Sequence, residues 1–255
     1  MKRILEKIIG GFIMTKARQA INHVNNMKEK YGKEISHSIE NTMIHRGDVQ
    51  ILDKEKETVM SIRTVSMDTV SAITRLYDGK TAALNFASYK NPGGGFVKGC
   101  TAQEEDLCHW STLYPVLMTQ CQYYDDNKKT LNKGLYTEAA LYSEDILFMS
   151  DEGPVKCDVI TCASPNWGAA KRNGISRSKN TEALKDRIEF LLRVAAYHDV
   201  ETLILGAWGC GVFRQEASEV AELFQNALQK YPYFKKVIFA IPSGNNFDMF
   251  KAVFD

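Results

Sequence analysis

Short apolar runs recur along the chain beyond residue 58, separated by longer stretches whose apolar positions repeat with helical periodicity. The runs have the length of buried strands, and several are rich in Val, Ile and Phe. Residues 58–65 roughly alternate polar and apolar positions and also predict a strand. The predicted buried strands are residues 81–86, 146–149, 159–163, 202–206 and 237–241.

Four segments have the pattern of helices. Residues 182–197 and 216–230 each gather their apolar residues on one face. Residues 68–77 predict a shorter helix, for which Gly79 is the expected C-cap. Residues 2–41 predict a helical segment whose scattered lysines and glutamates indicate a solvated face.

Strands that alternate with helices predict an α/β domain with a largely parallel or mixed sheet. Ligands of such sheets bind in a crevice at the carboxyl ends of the strands, so the loops after the apolar runs are the candidate site. The sequence has no internal repeat and no Pro/Ser-rich linker. We therefore expect an N-terminal helical extension, residues 1–50, packed on one domain, residues 51–255.

Composition excludes several classes of protein. With 32 Lys plus Arg against 31 Asp plus Glu, the net charge of +1 excludes binding of nucleic acid by a strongly basic surface, and we expect no direct DNA binding. No apolar run approaches the ~18 residues that span a bilayer. The N-terminal residues lack the features of a signal peptide, which predicts a cytoplasmic protein without membrane contact. The six cysteines have no zinc-binding spacing and are expected as free thiols.

The first of two glycine-rich loops follows the predicted strand 81–86. Asn91 precedes three consecutive glycines, Gly93, Gly94 and Gly95. Without a Cβ, the backbone can curl so that several N–H groups converge on an anion. A flexible surface turn is the alternative, but a position between a strand and a helix favours the anion site.

The second glycine-rich loop follows the predicted strand 202–206 and includes Gly209 and Gly211. Its G-x-x-G-x-G spacing differs from the dinucleotide fingerprint, and no G-K-S/T follows as in a P-loop. Two such loops on neighbouring strands would clamp a diphosphate from both sides. Trp208 and Phe213 offer flat apolar surfaces for a ribose or a base, with core packing as the alternative for each.

Two adjacent carboxylates follow the first loop. Gln103, Glu104 and Glu105 begin a predicted helix after seven residues that separate them from Gly95. Like charges repel, so the pKa of one carboxyl group should rise. An acid that is protonated near neutrality can protonate a leaving oxygen and later take a proton from water, which is the chemistry of glycosidic cleavage. Acids that merely favour the helix dipole are the alternative, and the neighbouring glycines favour catalysis.

Together these motifs resemble a known family. Residues 93–95 and 103–105 match the GGG-x(6–8)-QEE signature of the poly(ADP-ribose) glycohydrolases, in their bacterial (microbial) type within the macrodomain family. The resemblance runs from about residue 40 to the end. It implies a three-layer α/β/α macrodomain with a mixed central sheet that binds ADP-ribose.

The resemblance also implies an activity and a set of site residues. The chain would be a glycosidase that hydrolyses the ribose–ribose O-glycosidic bonds of poly(ADP-ribose), free or on ADP-ribosylated proteins, and releases ADP-ribose without a metal or a cofactor. Glu105 would be the catalytic acid/base, and Glu104 would bind the hydroxyls of the ribose beside the scissile bond. The other implied substrate-binding residues are Asn91 at that ribose, Gly93, Gly94, Gly95 and Gln103 on the catalytic side, Gly209, Cys210, Gly211, Val212 and Phe213 at the diphosphate and terminal ribose, and Asn246 and Phe250 at the adenine end.

Two other functions stay open from the sequence: a non-enzymatic reader of ADP-ribose, and a hydrolase of another ADP-ribosyl linkage. The adjacent acids argue against the reader, because binding alone does not need them. Cys100, Cys108 and His109 lie close in sequence, but buried thiols and a helix-face histidine are favoured over a metal site. Lys171, Arg172 and Arg177 predict a mobile surface loop, with contact to the phosphates of the polymer as the alternative.

Overall fold

A mixed sheet forms the centre of the molecule in the computed structural model, which describes residues 2–51 and 59–255. Within these residues the strands are β1 (Met43–Arg46), β2 (Ser61–Val65), β3 (Thr81–Phe86), β4 (Ala139–Phe148), β5 (Val155–Cys162), β6 (Thr202–Leu205) and β7 (Lys236–Ala240). Their order in the sheet is β1-β4-β5-β3-β6-β7-β2. Strand β4 is antiparallel to β1 and β5, and the other neighbours are parallel.

Helices cover both faces of this sheet. Within the described residues they are α1 (Lys2–Lys30), α2 (Gly32–Glu40), α3 (Thr69–Leu76), α4 (Gln103–His109), α5 (Leu113–Leu117), α6 (Cys121–Lys129), α7 (Trp167–Arg172), α8 (Arg177–Tyr197), α9 (Ala217–Lys230) and α10 (Asn245–Phe254). None of these helices combines the length and apolar character needed to cross a membrane.

Two hydrophobic cores result from the alternation of side chains along the central strands. On β3, Ala82 and Leu84 join the core that contains Leu184 of α8 and Phe224 of α9. Ala83 points to the opposite face and joins the core that contains residues of α3 and α4. Because successive side chains of a strand alternate in direction, one strand, buried from Thr81 to Asn85, supplies both cores. The fold is the three-layer α/β/α arrangement implied by the resemblance.

The five predicted buried strands are confirmed, since each run falls on an observed strand. Residues 146–149 are only the end of β4, which begins at Ala139. The sequence prediction missed β1, because its exposed residues give no buried pattern. This strand lies within the predicted helical extension, so the sheet begins before residue 50. Residue 58, where an alternating strand was predicted to begin, lies outside the described residues, and β2 begins at Ser61.

The prediction of Gly79 as a helix cap is wrong. Helix α3 ends at Leu76, and Tyr77 follows it in an extended conformation. Gly79 lies in the next turn with φ +59°, where a Cβ would collide with the Glu201 side chain. The glycine is therefore needed for the turn into β3 and not for the end of the helix.

The parallel strands end together at one edge of the sheet. Phe86 of β3 is in register with Cys162 of β5, and Leu205 of β6 is in register with Phe239 of β7. The loops that leave these strands consequently meet at their carboxyl ends, where the sequence predicts a ligand site.

Candidate active site

A cleft of about 780 Å³ opens at the carboxyl ends of the strands. Its walls come from the loops after β2, β3, β5, β6 and β7. Its volume lies within the range of about 300–1,000 Å³ that small-molecule sites occupy. Gln103, Gly209, Gly211, Val212, Phe213 and Asn246 line this cleft, so the fold brings these predicted residues together.

The loop after β6 carries unpaired main-chain donors at the cleft. The N–H groups of Gly209, Gly211, Val212 and Phe213 have no hydrogen-bond partner among residues 2–51 and 59–255. Ser164 also lines the cleft, and its hydroxyl is buried without a partner in the same part of the chain. Unpaired backbone donors are costly unless a ligand or water satisfies them, and clustered N–H groups suit an anion. The loop therefore has the donors that the binding of an anion requires.

The three consecutive glycines hold the two carboxylates. The N–H of Gly95 donates to Glu105 Oε1 at 2.8 Å, and the N–H of Gly94 donates to the Asn91 carbonyl at 3.0 Å. A Cβ on Gly94 would lie 2.5 Å from Glu105 Oε1 and 3.0 Å from Glu104 Oε2. The amides of Gly94 and Gly95 are thus already engaged, so the clamping of a diphosphate from both sides stays a prediction.

Gln103 fixes the start of α4 against the end of β3. Its side-chain oxygen accepts a hydrogen bond from the Phe86 N–H at 2.8 Å, and its Nε2 donates to the Leu84 carbonyl at 2.8 Å. The same Nε2 donates to the hydroxyl of Thr69 at 3.2 Å. These bonds hold the two glutamates that follow Gln103 beside the end of the central strand.

Glu104 is a buried acid whose pKa is raised above its ordinary range. Its Oε2 accepts a hydrogen bond from the Ser88 N–H at 2.6 Å, and the Asn85 side chain donates to Oε1 at 3.4 Å. The pKa of Glu104 is raised to about 8, mainly by burial; the nearby charge of Glu105 contributes to the rise, and the hydrogen bonds oppose it. The predicted rise in the pKa of one carboxyl group is confirmed, but its main cause is desolvation rather than repulsion.

Replacing Glu104 by glutamine should flatten the pH dependence of stability. The pKa of Glu104 is about 8 in the folded chain, against an ordinary value of 4.5. Within this range of pH the folded state therefore binds more protons than the unfolded state. The free energy of unfolding of the natural chain therefore falls as the pH rises through it. Relative to Glu104→Gln, we expect a loss of the order of 3 kcal/mol between about pH 5 and about pH 8. Thermal melting of both proteins measures this, and a constant difference in Tm would contradict it.

Glu105 lies beside the cleft, on a smaller cavity. Its side chain is half-buried and lines a cavity of about 160 Å³, together with Lys16 of α1 and His109 of α4. Thr101 and Asp106 line both this cavity and the cleft. Glu105 therefore stands where the two spaces adjoin, with its carboxylate held by the Gly95 amide.

A row of aromatic rings connects the carboxylates with the loop after β6. Phe213 contacts Tyr136 edge-on with 6.1 Å between ring centroids, and Tyr136 stacks on Tyr89 at 4.0 Å. Tyr89 follows Ser88, whose N–H binds Glu104. The row therefore runs between the segment that binds Glu104 and the loop that carries the unpaired amides.

Asn91 and Cys210 belong to the two loops but do not line the cleft. Asn91 is exposed, and its carbonyl closes the glycine turn. The Cys210 thiol lies 3.8 Å from the Trp208 carbonyl, and burial raises its pKa to about 12. Neither side chain forms the cleft wall in this conformation.

Two aromatic side chains belong to the core rather than to a ligand. The Trp208 ring is fully buried and its Nε1 donates to the Cys162 carbonyl at 3.2 Å, so the alternative of core packing is confirmed. Phe250, which the resemblance places at the adenine end, does not line the cleft, because its ring is fully buried against Phe239 and Phe254. Both rings fill the core on one face of the sheet, and neither is available to stack on a ligand.

Cys100, Cys108 and His109 do not converge on a metal. Cys108 is buried, whereas Cys100 and His109 are exposed. Among the residues that the structure describes, no group of three or more histidine, cysteine and acidic side chains is arranged to hold a metal ion.

Sequence reasoning missed several residues of the cleft wall. Asp68 and Thr69 follow β2, Ser164 follows β5 and Ser243 follows β7, and all four line the cleft. The rule that ligands bind after the strands could have found these residues. The prediction missed them because it considered only the loops rich in glycine. Phe86, at the end of β3, also lines the cleft although its strand was predicted.

Comparison with protein-family models gives a match over residues 14–151 to the model described as microbial-type PARG, catalytic domain. This match covers the three glycines and both carboxylates. A search of curated proteins finds no match.

Solved structures extend the likeness to nearly the whole chain. The poly(ADP-ribose) glycohydrolase of Thermomonospora curvata, bound to the inhibitor ADP-HPD, has a TM-score of 0.84 and 25% identity, with coverage of 94% of this chain and 99% of that chain. The same enzyme in a second structure gives the same TM-score and identity, with coverage of 94% and 100%. The poly(ADP-ribose) glycohydrolase of Deinococcus radiodurans, in complex with ADP-ribose, has a TM-score of 0.78 and 32% identity, with coverage of 87% and 97%.

Proposed function

The chain belongs to the microbial-type poly(ADP-ribose) glycohydrolases and is a glycosidase that hydrolyses poly(ADP-ribose), and we propose that Glu105 is its catalytic acid and base. One observation carries the proposal: Gly94 lies directly against both carboxylates, beside a cleft whose opposite loop has unpaired amides. Polymer attached to ADP-ribosylated proteins is the proposed natural substrate. The free cysteines support the expectation of a reducing, cytoplasmic location.

The cleft would hold the terminal ADP-ribose unit of the polymer. The diphosphate would accept hydrogen bonds from the amides of residues 209–213 and from the Ser164 hydroxyl, which supports this placement because these donors have no other described partner. The terminal ribose would lie against Phe213. The adenine would lie toward Asn246 and Asp68, which line the cleft beyond that loop.

Catalysis would require the protonated form of Glu105, which transfers its proton to the oxygen that links the two riboses. The bond from this oxygen to the anomeric carbon breaks through an oxocarbenium-like transition state, and the shortened polymer leaves with a free hydroxyl group. The Glu105 carboxylate then takes a proton from water as the water attacks the anomeric carbon, which releases ADP-ribose and restores the acid.

Glu104 would position the ribose during these steps. Because its pKa is about 8, the acid carries a proton near neutrality and can both donate a hydrogen bond to one ribose hydroxyl and accept one from another. A charged group in this buried place would add repulsion to the Glu105 carboxylate. The neutral acid avoids that repulsion while Glu105 changes its charge.

The experiment that tests this function supplies the purified chain with a polymerase that carries its own poly(ADP-ribose). Release of free ADP-ribose, followed by chromatography, is the expected result. A binding module would instead bind ADP-ribose in calorimetry and release none from the polymer, and that outcome would overturn the proposal.

Gly209→Ala should weaken the binding of ADP-ribose by about tenfold or more, the loss of roughly one charge-assisted hydrogen bond. Gly209 has φ +79°, and a Cβ there would lie 2.5 Å from Ser164 Oγ and 3.0 Å from Gln215 Cγ. The loop has to shift, and its amides with it. Gly174→Ala is the matched control, because Gly174 has φ +75°, lies outside the cleft wall and has no described atom within 4 Å of its Cβ position. Calorimetry with ADP-ribose measures both, and equal losses would contradict the proposed role of the loop.

A further inference from the structure

Four cationic residues lie on helix α7, on the turn packed against it and on the loop after β6. Lys171 and Arg172 occupy the last turn of α7, and Arg214 directly follows Phe213. Lys133 belongs to the turn that precedes β4. All four residues are exposed, and we call them the basic patch. The sequence prediction of a mobile loop at Lys171, Arg172 and Arg177 is wrong, because all three belong to helices.

Main-chain contacts hold the basic patch beside the cleft. The Gly168 N–H donates to the Phe213 carbonyl at 3.2 Å, which ties α7 to the cleft wall. A Cβ on Gly168 would lie 3.3 Å from Arg214 Cδ and 3.8 Å from Arg172 Nη1, so both arginine side chains approach the same point. The Asn173 side chain donates to the Lys133 carbonyl at 3.3 Å and fixes that turn against the end of α7.

The charges of the basic patch are not balanced by acids. Lys133, Lys171, Arg172 and Arg214 form no ion pair with another described residue. Arg177, which follows them in the chain, is neutralised by Glu219. Like charges that converge without a counterion repel each other, and an anion between them would remove that cost. Helix-end cations complement the helix dipole, but this explains only Lys171 and Arg172.

We propose that the basic patch binds the pyrophosphate of the ADP-ribosyl unit next to the one held in the cleft. The proposal rests on the proposed function, in which the terminal ribose lies against Phe213. The neighbouring unit is bonded to that ribose, so its pyrophosphate follows a few bonds beyond the scissile oxygen. Arg172 and Arg214 lie at this end of the cleft and offer guanidinium groups, which match phosphate geometry.

The patch would therefore distinguish a polymer from its product. ADP-ribose fills the cleft alone and does not reach the four cations. A substrate with at least two ADP-ribosyl units contacts both the cleft and the basic patch. After cleavage, ADP-ribose contacts only the cleft and the shortened polymer contacts only the basic patch. The enzyme would then bind its substrate more tightly than the ADP-ribose that it releases.

The test compares charge reversal at the patch with charge reversal elsewhere. Lys171→Glu/Arg172→Glu is the test variant, and Lys28→Glu/Lys30→Glu is the control, because Lys28 and Lys30 are also exposed cations in the last turn of a helix. Both are made in a Glu105→Ala background, where polymer binding is measured by filter retention without turnover. Arg172→Gln/Arg214→Gln provides a milder second variant, and melting curves establish folding.

For the test variant we expect the Kd for poly(ADP-ribose) to rise about tenfold at low salt. The slope of log Kd against log salt should become smaller by about 1.4. The variant loses two contacts, and each contact to a single-stranded polyanion contributes about 0.7 to this slope. The Kd for ADP-ribose and the polymer affinity of the control should stay within about twofold. Unchanged polymer binding, an equal effect in the control, or an equal loss of ADP-ribose binding would each overturn the proposal.

Failure of the proposed function would look different. In that case the natural chain would release no ADP-ribose from the polymer, whatever the binding measurements show. The filter assay does not depend on turnover, so the basic patch is tested either way.

Discussion

Glu105→Ala is expected to lower kcat on poly(ADP-ribose) by about 10²- to 10⁴-fold, the usual contribution of a positioned acid and base. The substitution removes the only group proposed to protonate the leaving oxygen and to activate water. Folding should be retained, because the side chain is half-buried and its carboxylate has one described hydrogen bond, from the Gly95 amide. Initial rates of ADP-ribose release measure the effect, and calorimetry with ADP-ribose should show an affinity within a few-fold of the natural value.

Two further variants distinguish a catalytic role of Glu105 from a structural one. Glu105→Gln keeps an oxygen for the Gly95 amide but cannot donate or take the proton, so it should be as inactive as the alanine variant. Glu34→Ala removes an exposed acid from the first turn of a different helix. If Glu105 merely favoured the dipole of α4, both alanine variants would lower stability slightly and leave the rate unchanged. An active Glu105→Ala enzyme would remove Glu105 from the mechanism.

Gly94→Ala is the second change with a large expected effect, a loss of about 10²-fold in kcat, as for a displacement of about 1 Å in a catalytic group. The new Cβ would lie 2.5 Å from Glu105 Oε1 and 3.0 Å from Glu104 Oε2. The loop is held by its hydrogen bonds, so the carboxylates have to move. The rate of polymer hydrolysis measures the loss.

Gly47→Ala separates backbone strain from this collision. Gly47 has φ +62°, close to the +59° of Gly94, and no described atom lies within 4 Å of its Cβ position. Both variants should lose about 1 kcal/mol of stability from the left-handed conformation. Only Gly94→Ala should lose activity, and equal rates in the two variants would show that Gly94 does not set the position of the carboxylates.

The parts of the fold that sequence could predict are those in which local pattern and burial agree. The strand at residues 81–86 is an uninterrupted apolar run because β3 is buried on both faces. Strand β1 has an exposed pattern, and only its pairing with β4 defines it. Pairing between distant segments leaves no periodic trace in a short edge strand.

In the candidate site, too, the sequence could predict some features and not others. The adjacency of Glu104 and Glu105 and the glycines before them are visible in the sequence, and so is their likeness to a family signature. Which acid is buried is not visible, because the burial of Glu104 depends on Ser88, Asn85 and the packing of α4 on β3. The burial of Trp208 and Phe250 is not visible either, because the sequence around an aromatic residue near a loop does not show whether its ring faces a ligand or the core.

The side-chain amide of Gln103 bonds to the N–H of Phe86 and the C=O of Leu84 as a neighbouring strand would. Opening the first turn of α4 therefore requires breaking contacts of the most interior part of the domain. The Asp106 amide hydrogen, which bonds to the Ala102 carbonyl across that turn, should exchange with solvent almost as slowly as those of β3, by sharing its cooperative unit. The two acids then keep their arrangement before any polymer arrives, so that little reorganisation is left for the moment of bond cleavage.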